Sequence, residues 1–245
     1  MRIQINLKTL NDSKLSFNYQ YCLSSAIYNA LEKANSAVSK KLHVIPLSKP
    51  FTFSFLHFDN YHTNATSLIL KKDTHASFVF SSMFDSLINL LSQGLISKKQ
   101  LRIKHTKFEL LNFKIIPDIN LAQHSYFKCL SPLCIFDENR QYSDVTDPDL
   151  PNKILQNLVK KYNIFNNKTI NVSFFKFKLD ANYIKNHQSK CSKLLKIKEG
   201  SPEETHIKGI FCPFYLDTSI ELKQIAYHAG IGKNTAMGMG CISAI

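Results

Sequence analysis

Residues 2–55, RIQINLKTLNDSKLSFNYQYCLSSAIYNALEKANSAVSKKLHVIPLSKPFTFSF, read as strand, helix, strand. In 2–9, Ile3, Ile5 and Leu7 alternate on one face, the period of a half-buried strand. From 20 to 40, Leu23, Ile27, Ala30, Leu31, Ala34 and Val38 recur at helical spacing with no Gly or Pro between them. After Pro50, Phe51, Phe53 and Phe55 alternate again. Farther along, Phe78 and Phe80 mark a short strand. Phe84, Leu87, Ile88, Leu90 and Leu91 mark a helix expected to stop at Gly94, and Leu101 to Ile116 a bent strand or hairpin. Strand, helix, strand, strand, helix, strand is the split βαβ, or ferredoxin-like, plan.

The same order returns in the second half. Tyr126 to Leu130 reads as a strand, and Ile154, Leu155, Leu158, Val159 and Tyr162 as a helix. Ile170 to Leu179 reads as a strand whose alternation shifts between Phe174 and Phe175, the mark of a bulge or of burial on both faces. Ile207 to Tyr215 reads as a strand, Leu222 to His228 as a helix, and Met239 to Ile242 closes the set. The expectation is an α+β chain of two tandem ferredoxin-like domains, 1–118 and 119–245. Element order repeats between them and sequence does not.

The chain is 245 residues long, 44% hydrophobic and 20% charged, a globular composition. Its apolar runs fall short of the ~18 residues of a membrane span, so no membrane partner is expected. The first ten residues lack the basic start and apolar middle of a signal peptide, which points to the cytoplasm. Six cysteines are scattered without a CxxC pair, so buried reduced thiols are the expectation, with neither metal nor cofactor.

Net charge is +13 and the pI near 9.4, which favours a polyanionic partner. Residues 153–198 hold eleven lysines against one acid, Asp180, while Asp137, Glu138, Asp144, Asp147 and Asp149 precede them. This segregation reads as a basic surface on the second half, or as a solvated lysine-rich face with no ligand.

Of seven glycines, four lie in the last sixteen residues, in the run HAGIGKNTAMGMGCISAI from His228. Gly230, Gly232, Gly238 and Gly240 permit positive φ and close backbone approach, which a loop needs to wrap a phosphate with its amides. Lys233, Asn234 and Thr235 add donors at the tip. The loop follows a helix and precedes a strand, the reverse of a Walker or dinucleotide loop. A plain glycine-rich turn is the competing reading.

A terminal Gly-x-Gly-x(5)-Gly-x-Gly loop after a short helix resembles the signature of the repeat-associated RAMP nucleases. Within them, the chain resembles the Cas-six family of CRISPR-repeat-processing endoribonucleases. NYQYCLSSAIYNALEKANSAVSKKLH followed by KPFTFSFL resembles that family's first helix, active-site segment and second strand. KCLSPLCIF and DPDLPNKILQNLVKKY resemble the strand and helix that open its second domain. The resemblance implies two tandem ferredoxin-like domains and CRISPR repeat RNA as partner, both as precursor and as mature guide. A CRISPR effector complex is a further candidate partner, and the chain is expected as a monomer or homodimer.

The family's pattern places a Tyr in the first helix, a His fifteen residues on and a Lys six later; Tyr28, His43 and Lys49 reproduce it. Metal-free RNA cleavage needs a 2′-hydroxyl to lose a proton, a 5′-oxygen to gain one, and phosphorane charge to be stabilised. His43 is suited to proton transfer and Lys49 to the phosphorane. Tyr28 is either a base, if a cation such as Lys49 depresses its pKa, or the group that orients the 2′-hydroxyl. An unbroken helix would hold residues 28 and 43 about 22 Å apart, so it must end near Lys40. RNA contacts are expected from Gly230, Gly232, Lys233, Asn234, Gly238 and Gly240, and from Lys176, Lys178 and Lys193 of the basic stretch. Two other readings stay open: a non-catalytic RNA-binding RAMP subunit, and a module stacking bases on Phe53, Phe55, Phe175 and Phe177.

Overall fold

The computed structural model describes residues 1–44, 48–187 and 191–245; of His43 and Val44 it describes the backbone alone. The first unit runs β1 (Arg2–Thr9), β2 (Ser13–Ser16), α1 (Gln20–Ala34), α2 (Ser36–Val44), β3 (Phe51–Phe53), β4 (His57–Phe58), β5 (His62–Thr63), β6 (Ser67–Leu70), β7 (His75–Ser82), α3 (Asp85–Lys98), β8 (Gln100–Ile103) and β9 (Thr106–Ile116). The second runs β10 (Tyr126–Cys129), α4 (Leu150–Asn166), β11 (Phe175–Leu179), α5 (Ala181–His187), β12 (Ser192–Ile197), β13 (Thr205–Ile210), β14 (Phe214–Thr218), α6 (Ile220–Ala229) and β15 (Ile242–Ala244).

The first sheet is ordered β3-β7-β1-β9-β8 and the second β11-β14-β10-β15, with antiparallel neighbours. Taking the four principal strands of each unit in chain order, both sheets read second, third, first, fourth. The chain is therefore two tandem ferredoxin-like folds. Ile3, Ile5 and Leu7 of β1 bury against Leu23, Ile27, Ala30 and Leu31 of α1 and Leu87, Ile88 and Leu91 of α3. A second core joins Phe127, Phe177, Phe214 and Leu216 to Ile154 and Leu158 of α4 and Leu222 and Ile225 of α6.

Several sequence expectations shift. The helix expected over 20–40 breaks at Asn35, whose backbone is extended. Its Oδ1 accepts from the amides of Ala37 and Val38, so the same residue caps a second helix. The helix expected to stop at Gly94 continues to Lys98. A Cβ on Gly94 would lie 1.9 Å from the Ala30 carbonyl oxygen, so this glycine is where α1 and α3 touch. The span Ile207 to Tyr215 is two strands, with Phe211, Cys212 and Pro213 between them. The span Ile170 to Leu179 forms a strand only from Phe175. The small sheet β2-β6-β5, helix α5 and the β12–β13 hairpin were not foreseen. Of the candidate stacking aromatics, Phe53 and Phe177 are core residues and Phe55 and Phe175 are half-buried. Cys22 is half-buried and the other five cysteines are buried, all as free thiols. Among the described residues, no helix is long and apolar enough to cross a membrane.

The β12–β13 hairpin reaches back to the first unit. Glu199, at its turn, accepts from Ser16 Oγ, Asn18 Nδ2 and Lys104 Nζ, and the Lys196 amide donates to Asn18 Oδ1. Burial alone would push the Glu199 carboxyl up. Hydrogen bonds from Lys104, Ser16 and Asn18 outweigh it and hold the pKa at about 2. Arg2 makes a second link: buried under Tyr227, with its guanidinium 4.0 Å from the ring centroid, it donates to the Ile242 carbonyl at 2.7 Å.

Two outcomes follow from these contacts. Gly94→Ala should destabilise the chain by about 1–3 kcal/mol, the cost of overpacking, despite alanine's better helix propensity. A melting temperature at or above wild type would show that α1 and α3 separate freely. Because the folded pKa of Glu199 lies below its unfolded value, its contribution is present above about pH 4.5 and is lost as pH falls toward 2. Acid titration of folding should show a shallower loss over that window in Glu199→Gln than in wild type; parallel curves would refute the clamp.

Candidate RNA-cleavage site

A cleft of about 870 Å³ opens where α1 of the first unit meets α4 and the glycine-rich loop of the second. Tyr21, Ser24, Ser25, Tyr28 and Asn29 of α1 line one side. Asn157, Lys160 and Lys161 of α4 and residues 232–237 of the loop line the other, with Ser48, Lys49, Phe136 and Lys198 completing it. Among the described residues the lysines of this cleft are Lys49, Lys160, Lys161, Lys198 and Lys233.

Tyr28 projects from the flank of the buried face of α1. Its ring meets Phe51 edge-on at 6.0 Å, and Phe51 stacks on Phe80 at 5.2 Å. Burial pushes the Tyr28 hydroxyl up to about 12. That is the opposite of what a base at neutral pH requires, so Tyr28 stays protonated and is suited to donating a hydrogen bond. Lys49, half-buried and with its pKa lowered by burial, donates to the carbonyl of Leu42. This bond ties the lysine to the C-terminal end of α2, where His43 is the next residue. The His43 side chain lies outside the described residues. The structure thus brings Tyr28 and Lys49 to one cleft and fixes Lys49 to the backbone beside His43. The helix end expected near Lys40 lies instead at Asn35, and a second helix runs through Lys40 to Val44.

The glycine-rich loop differs in its workings from a phosphate cradle. Its glycines are buried, and four of the amides at the expected phosphate positions are already engaged. Gly232 donates to Asn157 Oδ1 at 2.8 Å, Lys233 to the Cys134 carbonyl, Gly238 to that of Thr235 and Gly240 to that of Pro132. Gly240 has φ +74° and a Cβ there would lie 2.0 Å from the Ile231 carbonyl oxygen; Gly232 has φ +89° and would strike that of Cys134 at 2.4 Å. Glycine at these positions is a demand of close backbone packing. Thr52 Oγ1 of β3 donates to the Met239 carbonyl and Ser24 Oγ of α1 to that of Ala236, both at 2.7 Å, so the first unit grips the loop too. What the loop turns outward is Lys233, which is exposed and lies 3.9 Å over the Phe136 ring; Asn234, at φ +58°, is half-buried and its Nδ2 donates to the buried Cys134 Sγ at 3.4 Å.

The basic stretch is divided among tasks. Lys176 and Lys178 point outward from β11, the outer strand of the second sheet, and Lys193 from β12. Lys153 pairs with Asp147, Lys196 with Glu204 and Lys198 with Glu203. Lys161 is 1% exposed and donates to the Gly230 carbonyl at 2.5 Å, and burial pushes its pKa down to about 7. Asn157, Lys160, Lys161 and Lys198 were missed as site residues. Asn157 and Lys161 stand four apart, on one face of α4. That spacing was the available signal, but the helix had been read for its apolar stripe alone. Among the described residues no group of three or more His, Cys, Asp or Glu is placed to hold a metal ion.

Comparison with known proteins places both halves together. Residues 14–114 match the family model "CRISPR-associated protein Cas6, N-terminal", and residues 116–244 match "CRISPR associated protein Cas6, C-terminal". The chain is 28% identical to the CRISPR-associated endoribonuclease Cas6 1 of Methanocaldococcus jannaschii, across 99% of this chain and 92% of that protein. A solved CRISPR associated protein Cas6 superposes with a TM-score of 0.77 at 25% identity, covering 100% of this chain and 99% of the other. The product of a Cas6-related gene from Pyrococcus furiosus shares the fold, with a TM-score of 0.83 at 19% identity, over 100% of this chain and 98% of that one. With one family's models accounting for both ferredoxin-like halves, the chain belongs to the Cas6 family.

Proposed function

We propose that this chain is an endoribonuclease that cuts CRISPR repeat RNA in its precursor transcript to release guide RNAs, without a metal ion. Domain 1–118 carries the catalytic side chains, and domain 119–245 contributes most of the RNA-holding surface. The observation that carries the reading is the cleft in which Tyr28 and Lys49 face the glycine-rich loop, with Lys49 bonded to the backbone beside His43. The endoribonuclease name of the Methanocaldococcus relative supports the same class of activity. We place the protein in the cytoplasm with its RNA, and a CRISPR effector complex as a further partner.

In this mechanism the 2′-oxygen attacks the adjacent phosphorus, and the bond from phosphorus to the 5′-oxygen breaks. The products are a 2′,3′-cyclic phosphate and a 5′-hydroxyl. His43 takes the 2′-hydroxyl proton as base and gives a proton to the departing 5′-oxygen as acid in turn, or acts as the acid alone while a solvent water takes the 2′-hydroxyl proton. Lys49 offsets charge on the phosphorane oxygens as a compact cation. Tyr28, held protonated by burial, orients the 2′-hydroxyl rather than deprotonating it. Lys233 and Asn234 hold neighbouring phosphates, and Lys176, Lys178 and Lys193 add sequence-independent attraction. Gly230, Gly232, Gly238 and Gly240 serve RNA binding by shaping the loop.

The deciding experiment incubates the protein with repeat RNA from its own CRISPR array in EDTA. Cleavage at full rate, with cyclic-phosphate ends, is expected; product only on addition of Mg²⁺ or Mn²⁺ would overturn the mechanism. His43→Ala should lose about 10²–10⁴-fold in single-turnover rate while keeping RNA affinity. Lys49→Ala should also slow cleavage, and Tyr28→Phe should do so more mildly. An unchanged rate in His43→Ala would sink the assignment.

A further inference from the structure

Lys161 and Asn157 have no task in the mechanism above, yet both reach the loop that closes the cleft. Burying an amine is unfavourable unless it finds a hydrogen-bond partner. Lys161 is 1% exposed, and among the described residues its amine is held by a backbone carbonyl rather than a carboxylate. An apolar residue would fill this place on α4 without that cost. One turn earlier, Asn157 Oδ1 takes the amide of Gly232. Two side chains at i and i+4 therefore grip two loop residues at i and i+2, one by its carbonyl and the other by its amide. Immediately after the second grip come Lys233, which is exposed, and the half-buried Asn234, both lining the cleft.

We propose that Asn157 and Lys161 are positioning residues for RNA cleavage: they lock Gly230 and Gly232 so that Lys233 and Asn234 stand over the cleft lined by Tyr28 and Lys49. The proposal rests on the endoribonuclease reading and adds to it the part of α4. Neither residue needs to touch RNA. Lys161 acts through the Gly230 carbonyl and Asn157 through the Gly232 amide. Helix α4 belongs to the second core through Ile154 and Leu158, so the loop tip is referenced to the second domain. Thr52 and Ser24 reference the far side of the loop to the first.

The test uses the full chain, single-copy repeat RNA from its own array, and the variants Lys161→Met, Asn157→Ala and Lys233→Ala. Dissociation constants are measured across a salt series, with a thermal melt of each protein. Lys161→Met and Asn157→Ala should weaken binding on the order of tenfold at every salt concentration, the scale of one buried hydrogen bond left unmade. Their log–log salt slope should equal wild type, because Lys233 still meets its phosphate once RNA has ordered the loop, and their melts should show a folded chain. Lys233→Ala should instead reduce the slope by about 0.7. Wild-type affinity in folded Lys161→Met and Asn157→Ala would reduce the two residues to ordinary packing and overturn the proposal. A reduced slope in Lys161→Met would make it a phosphate contact, which also overturns it. Should Lys161→Met fail to fold, Asn157→Ala at its half-buried position decides alone. A wild-type chain that neither binds nor cuts repeat RNA would overturn the endoribonuclease reading, a result separate from any difference among variants.

Discussion

The close packing of backbone on backbone in the loop from Gly230 to Gly240 governs the arrangement of the rest. The Ile231 amide meets the Gly240 carbonyl, and Gly240 reaches Pro132. Thr52 and Ser24 of one domain, and Asn157 and Lys161 of the other, take the remaining polar groups named above. Buried peptide groups must find partners, and here the partners come from both ferredoxin-like units. The loop is thus one joint of the molecule as well as one wall of the cleft. Its composition answers to sterics first and to any ligand second.

The consequence for electrostatics is that counting lysines overstates the surface offered to RNA. Eleven lysines in residues 153–198 read as one field. In the fold one of them is a buried strut, and three are paired with carboxylates. Lys176 and Lys178 lie on the outer strand of the second sheet. Among the described residues the lysines that line the cleft come from four separate places in the chain: residue 49, residues 160 and 161, residue 198 and residue 233. Sequence proximity of charge is a property of the unfolded chain, and folding redistributes it.

The fold was legible where one face of an element is buried and the other is wet. Strands β1 and β3, the helix α1 and both ferredoxin-like element orders follow from that alternation. Legibility failed where a single residue breaks a continuing pattern. Asn35 interrupts a helical stripe that Val38 resumes, because its side chain caps the second helix better than its backbone continues the first. Gly94 looked like a stop signal and is a contact point. Pro213 separates two strands whose apolar residues had seemed to form one. At the proposed site, family spacing singled out Tyr28 and Lys49, and the fold brings both to one cleft. Lys161 was not, because a lysine that bonds to a carbonyl deep in the chain looks in sequence like any other lysine. The environment that shifts Tyr28 upward, the Phe51 and Phe80 stack, was likewise invisible before folding brought β3 and β7 beside α1.

The bond from Ser24 to Ala236 joins residues 212 positions apart. Ribosomes extend a chain at about 5–20 residues per second, so the two walls of the cleft emerge roughly 10–40 s apart. Through that interval the nascent chain already displays the helix bearing Tyr28, but there is no opposing wall to trap a nucleotide against it. A chain made only as far as the first unit therefore carries one wall of the cleft without the other.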